Sequence, residues 1–78
     1  MKVKTAKGVE FDCDGILPLN TPPRLYLHLF NTSVEAVREV LEEDGQLPIE
    51  GYPLYNAIQS ITSPSPSWVK VSLKIEGT

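Results

Sequence analysis

Arg24-Leu25-Tyr26-Leu27-His28-Leu29-Phe30 carries the strongest pattern in the chain. Every second residue is leucine. In an extended chain Leu25, Leu27 and Leu29 therefore share one face, while Arg24, Tyr26, His28 and Phe30 share the other. That is the period of a β-strand, and a face of three leucines has to be covered. A cover follows directly in the chain. Asn31-Thr32-Ser33 halts the alternation, and Thr32-Ser33-Val34-Glu35 has the capping-box spacing in which a hydroxyl and a carboxylate satisfy free amides at a helix start. Ser33 is an alternative cap. Val34, Val37 and Leu41, with Ala36 and Val40 beside them, make an apolar stripe at helical spacing. Glu35, Arg38, Glu39 and Glu42 are left for water, and Gly45 is the expected stop.

On the N-terminal side, residues 2–5 and 9–14 alternate with period 2 and read as a hairpin around Ala6-Lys7-Gly8. A two-residue turn at Lys7-Gly8 would place Lys4 opposite Phe11 and Val3 opposite Asp12, mixing apolar and charged groups on both faces. A three-residue loop, with Gly8 left-handed in a bulge, sets Val3 against Phe11 and Thr5 against Val9. It also pairs Lys4 with Glu10 and Lys2 with Asp12, so this register is predicted. Residues 15–23 contain Pro18, Pro22 and Pro23 and are expected to be a loop outside the sheet. On the C-terminal side a strand is predicted over about 52–62, a turn at Ser63-Pro64-Ser65-Pro66-Ser67, and a last strand over 68–75. Val69, Val71, Leu73 and Ile75 alternate there with Lys70, Ser72 and Lys74. The pattern leaves the register of this second hairpin open.

The expected architecture is a single α+β domain over 1–78, ordered β-β-β-α-β-β. It is a five-stranded, largely antiparallel sheet with one helix packed on one face. Widths then matter. Five strands at about 4.8 Å spacing span about 20 Å, whereas a helix with its side chains is about 10–12 Å wide. Either the sheet curls toward a barrel and buries its own residues, or the open face meets something else. Tyr26, His28 and Phe30 lie on that face, and Trp68 is read as sharing it. Aromatic residues of this kind are enriched at the cores of interfaces, which makes these four the candidate contact residues.

Composition narrows the function classes. With 78 residues the chain buries a comparatively small share of its surface, and scaffolds of this size commonly gain stability from disulfides, a metal or association. Cys13 is the only cysteine, so no internal disulfide can form and a reducing compartment is expected. The 7 basic residues against 10 acidic ones argue against a general phosphate-binding surface, so no nucleic-acid partner is expected. The N-terminus lacks an apolar run of signal-peptide length, and no stretch reaches the roughly 20 apolar residues of a membrane span. The expected location is the cytoplasm, with no membrane partner.

Four features could carry chemistry. Glu10-x-Asp12-x-Asp14-Gly15 has the opening of a calcium loop, but the position for the closing glutamate is Thr21, Pro18 interrupts the loop and no helix precedes it. These carboxylates read instead as the wet face of a strand opposite Lys2 and Lys4. Cys13 shares a face with Phe11 and reads as a small buried hydrophobe with no activating base. His28, between two aromatics, reads as contact or surface packing rather than as a catalyst. Residues 63–67 read as a stiff hairpin tip. No metal, cofactor or catalytic residue is expected.

The order of these pieces resembles a family. The first strand running into Thr5-Ala6-Lys7-Gly8, the run Phe11-Asp12-Cys13-Asp14, the strand Pro23-Arg24-Leu25-Tyr26-Leu27-His28-Leu29, the helix over 33–41, Glu50-Gly51-Tyr52 and Val69-Lys70-Val71-Ser72-Leu73 look like small prophage-encoded proteins of Firmicutes and related gut bacteria. The likeness spans nearly the whole chain and departs from the family pattern at Pro53-Leu54 and at residues 63–67. It implies a phage-related structural or accessory protein, in the cytoplasm of a bacterial host or in the virion. Its partner would be a copy of itself, in a homo-oligomer, or a larger phage component. A small ligand-binding or regulatory module is the alternative, and would need a concave pocket in a curled sheet. A stand-alone enzyme is not expected, since no nucleophile and base are paired in the pattern.

Overall fold

The computed structural model, which describes residues 1–75, places the leucine strand at the middle of a five-stranded antiparallel sheet. The elements are β1 (Lys2–Lys4), β2 (Glu10–Asn20), β3 (Pro23–Phe30), α1 (Val34–Arg38), β4 (Ala57–Ser65) and β5 (Trp68–Lys74). They lie side by side as β1-β2-β3-β5-β4 in an open sheet, with the helix on one face, so the α+β class and the β-β-β-α-β-β order are as the sequence implies. β3 and β5 have neighbours on both sides. Their inward residues are accordingly the driest: Leu25, Leu27, Leu29, Val69, Val71 and Leu73 are all buried. At about 1.5–3 kcal/mol each, these six side chains dominate the hydrophobic contribution to stability.

The first hairpin has the expected register. Lys2 lies opposite Asp12, Val3 opposite Phe11 and Lys4 opposite Glu10. Thr5 N donates to the Val9 carbonyl at 2.9 Å, Gly8 N donates to the Thr5 carbonyl at 2.9 Å, and Gly8 has φ +88. A left-handed third residue is what lets the strands close without inverting their faces.

Residues 15–23 correct the expectation of a loop. β2 runs on to Asn20 and pairs with β3 down to Asn20 opposite Pro23, leaving only Thr21-Pro22, joined by a cis peptide, at the turn. β1 begins opposite Asp12, so the rest of β2 beyond that point has a neighbour on one side only. An edge strand is where a proline's missing N–H is tolerated, and Pro18 sits there. A bulge between Cys13 and Gly15 also leaves Asp14 without an opposite residue and shifts the phase of the strand. Beyond it Ile16 opposes Leu27 on the leucine side, while Gly15 and Leu17 oppose His28 and Tyr26.

The helix is shorter than expected and differently capped. Ser33, not Thr32, is the N-cap, its Oγ accepting from Ala36 N at 3.1 Å, and the helix ends at Arg38 instead of reaching Gly45. Val34, Val37 and Val40 are poor helix formers. The chain tightens after them, Val40 N and Leu41 N donating to the carbonyls three residues back. Gly45, at φ +79, belongs to a separate turn in which its N donates to the Glu42 carbonyl at 2.9 Å.

What the short helix leaves bare is covered by residues 40–56. Leu47 and Ile49 are buried, and Val40, Leu41, Tyr52 and Tyr55 pack against the same core. The segment is clipped to the first hairpin: Ala6 N donates to the Pro48 carbonyl at 3.0 Å and Glu50 N to the Lys4 carbonyl at 2.8 Å, making an antiparallel bridge of Thr5 with Ile49. Leu47 N, at 2.9 Å from the Asn56 carbonyl, holds its other end. The strand predicted from Tyr52 starts only at Ala57, because Tyr52 is engaged in a local bridge with Ile49. β4 continues through Ser65, so the turn is Pro66-Ser67, with Ser67 at φ +65 and Ile75 just past the end of β5. Its register sets Ile58 against Leu73 and Ile61 against Val71, with irregularities at Ile58/Ser60 and Thr62/Ser65. Among the described residues no helix is long and apolar enough to cross a membrane.

Candidate interaction face

With one face covered, the side chains that alternate away from the leucines are brought together on the other. Paired residues of neighbouring strands point the same way, so the registers lay them out in rows. Lys2, Asp12, Phe30, Trp68 and Ser65 form one row. The next holds Gly15, His28, Lys70 and Thr62, and the next Leu17, Tyr26, Ser72 and Ser60. Leu19, Arg24, Lys74 and Ala57 complete the face.

Tyr26, His28, Phe30 and Trp68 thus share one surface, as their alternation predicts. Phe30 and Trp68 are directly opposite, their ring centroids 5.8 Å apart and tilted by 36°. Aromatic pairs in such arrangements contribute about 0.5–1.5 kcal/mol beyond their burial. Trp68 remains 41% exposed and His28 is exposed, whereas Tyr26 and Phe30 are half-buried. The sheet does not coil far enough to bury this face. It does curve: the two middle rows line a concavity of about 510 Å³, in which Gly15, Ser60, Thr62 and Ser72 are the small residues and Leu17, Tyr26, His28 and Lys70 the larger ones. Ser72 Oγ donates to the Gln59 side-chain oxygen within it.

The electrostatics of this face differ from those of the whole chain. Arg24, Lys70 and Lys74 all alternate onto it. Its one acid among the described residues, Asp12, is engaged by Lys2 in an ion pair at 2.9 Å and also accepts from the Asn31 amide at 3.3 Å. The Lys2 hydrogen bond, followed by that of Asn31, holds the Asp12 carboxyl below its ordinary value, and the same bond to Asp12 raises Lys2. Arg24 spends one guanidinium nitrogen on the Pro23 carbonyl at 2.7 Å, and its Nε is buried with no partner. Among the described residues, three cations therefore stand on this face without a carboxylate partner.

The other sequence features fall elsewhere. Cys13 is fully buried on the leucine side, where its thiol donates to the Gly15 carbonyl at 3.2 Å. Glu10 opposes Lys4, Asp12 is held by Lys2, and Asp14 is the bulged residue, so the three acids do not converge. Ser63 Oγ, which lies 3.0 Å from the Ser65 carbonyl and 2.8 Å from that of Trp68, ties the second hairpin tip down. The cationic character of the face was not visible in the net charge. It was available in the alternation of Lys70 and Lys74 with the buried valines, once β5 is known to lie beside β3.

Both open edges of the sheet are blunted. The free part of β2 contains Pro18 and the bulge at Asp14, and β4 contains Pro64 and two irregularities. Prolines and bulges at edge strands hinder the addition of a further strand. Comparison of the chain with protein-family models, with curated proteins and with solved structures gives no match.

Proposed function

We propose that this protein is a phage-related structural or accessory component that acts by protein–protein contact through the face bearing Tyr26, His28, Phe30 and Trp68. The phage assignment rests on the resemblance of the strand and helix sequences. The contact assignment rests on one observation: the chain folds its own residues 40–56 over one side of the sheet and leaves the aromatic side open. The blunted edges favour the face over strand addition as the place of contact. On this reading the protein is a binding component of the bacterial cytoplasm or the phage particle, and not a catalyst.

The test is the double variant Tyr26→Ser with Phe30→Ser. Light scattering across a dilution series should show a lower oligomer population, or a purified partner should no longer be captured. The variant should remain folded, at a cost below the roughly 3–5 kcal/mol of truncating even one fully buried aromatic. A double variant that unfolds, beside a wild type that is monomeric at every concentration, would place the aromatics in the domain's own core and remove the reading. The concavity of about 510 Å³ favours a second reading, a small ligand-binding or regulatory module, since its size falls in the range of small-molecule sites. A strictly monomeric wild type whose double variant still folds would favour that module.

A further inference from the structure

The contact reading leaves the occupant of the open face unnamed, and the distribution of charge over the domain identifies one. Among the described residues Arg24, Lys70 and Lys74 stand there without carboxylate partners, although the chain as a whole has a formal net charge of -3. The compensating acid is concentrated on the helix side. Glu35, Glu39, Glu42, Glu43 and Asp44 lie within one ten-residue segment against the single base Arg38. All but the half-buried Glu42 are exposed. Val37, in the same segment, is buried in the core against the leucine face, so the acidic stretch and the cationic face are carried on different sides of the domain.

From this complementarity, and resting on the contact reading above, we propose that the open face receives a second copy of this chain, docked head to tail through its acidic segment 35–44. A face-to-face dimer that superposes the rows of the two copies would set Arg24, Lys70 and Lys74 of one against the same residues of the other, and like charges in juxtaposition are costly. Head-to-tail docking instead sets cations against acids. Such a contact is heterologous, so a docked pair leaves one open face and one acidic segment unused, and the assembly closes as a ring or continues as a filament.

Two charge-reversed variants of the whole chain test this: Lys70→Glu with Lys74→Glu, and Glu39→Lys with Glu43→Lys. Each is checked for an unchanged melting temperature. By sedimentation velocity at low salt the wild type should self-associate, and each variant alone should associate at least about tenfold more weakly. An equimolar mixture of the two should recover association, since each then offers what the other lacks. A salt series on the wild type needs no variant, and association should be lost by about 1 M salt, where the screening length is about 3 Å. A wild type that stays monomeric at low salt, association indifferent to salt, or a mixture that fails to recover would overturn the proposal. Tight binding of a single-stranded oligonucleotide by the monomer, lost in the lysine variant, would assign the face to nucleic acid and overturn it as well. Association lost in the Tyr26/Phe30 variant but not recovered on mixing would remove the second copy as occupant while the contact face stands. Association unchanged in all three variants would remove both.

Discussion

Replacing Leu47 with alanine tests whether residues 40–56 are part of the core or merely drape over it. Leu47 lies outside every helix and strand, yet its side chain is buried, packed with Ile49 and Val37 against the leucine face. Leucine-to-alanine changes at buried sites cost about 2–5 kcal/mol, the spread reflecting how far the surroundings can close on the cavity. Here the backbone is pinned on both sides of the residue, at Asn56 through its own N–H and at Ala6 through the Pro48 carbonyl. Collapse is restricted, and the expected cost is about 3 kcal/mol. For a domain of this size, whose total stability should be on the order of 4–12 kcal/mol, that is a large share. Leu54 is the control: it belongs to the same segment but is 65% exposed, so Leu54→Ala should cost no more than about 0.5 kcal/mol. Urea titration followed by circular dichroism gives both values, with an unchanged m showing that the segment unfolds together with the sheet. Equal costs at Leu47 and Leu54 would show that the segment merely drapes over the core. A fall in m for Leu47→Ala would show instead that the segment detaches on its own.

Gly8, at φ +88, has nothing within 4 Å of the position a Cβ would take, so its substitutions report backbone strain without a packing clash. Gly8→Val should cost about 1–2 kcal/mol and Gly8→Asn less, and equal stability of the valine variant and the wild type in urea would remove the register argument. Asp12 supplies a pH test, because a carboxyl held below its ordinary value contributes stability above that value and loses it as pH falls through the folded-state value. The stability gap between wild type and Asp12→Asn should therefore be constant near neutral pH and shrink below about pH 4, and a gap independent of pH down to acid unfolding would contradict the Lys2 pairing.

How much of this was legible in the sequence depended on whether one strand could be read by itself. The leucine strand, the first hairpin with its bulged glycine and the last strand each show a complete local pattern, because their alternation and turn residues lie within about ten positions. The errors have a common origin. Pro18 is forbidding in a central strand and harmless in an edge strand, and residues 2–20 alone do not say that β2 runs on past Asp12, which lies opposite the start of β1. Three valines at helical spacing fit a stripe, but they do not say that the chain would rather tighten after Arg38 and lay Leu47 and Ile49 on the sheet. Thr32 and Ser33 are both competent caps, and the backbone entering from Phe30 decided between them. For the face, Tyr26, His28 and Phe30 could be placed together because they belong to one strand. Their relation to Trp68, Lys70 and Lys74 required the β3–β5 register, which is set by pairing between segments far apart in the chain.

The bulge at Asp14 ties these levels together. With strict alternation from the buried Cys13, Gly15, Leu17 and Leu19 would face the core, while Ile16 and Pro18 would face the opposite side. One extra residue reverses the assignment, so that Ile16 packs against the core while Gly15 and Leu17 join His28 and Tyr26. The core gains a β-branched side chain where it would have had a glycine. The open face gains the glycine, which adds no side chain to the concavity beside His28, and nothing lies within 4 Å of where a Cβ would stand. The same insertion therefore fills the covered side and hollows the other. The hollow lies between the aromatic pair at one end and Arg24 and Lys74 at the other, so the one extra residue shapes the face that carries the unpaired cations among the described residues.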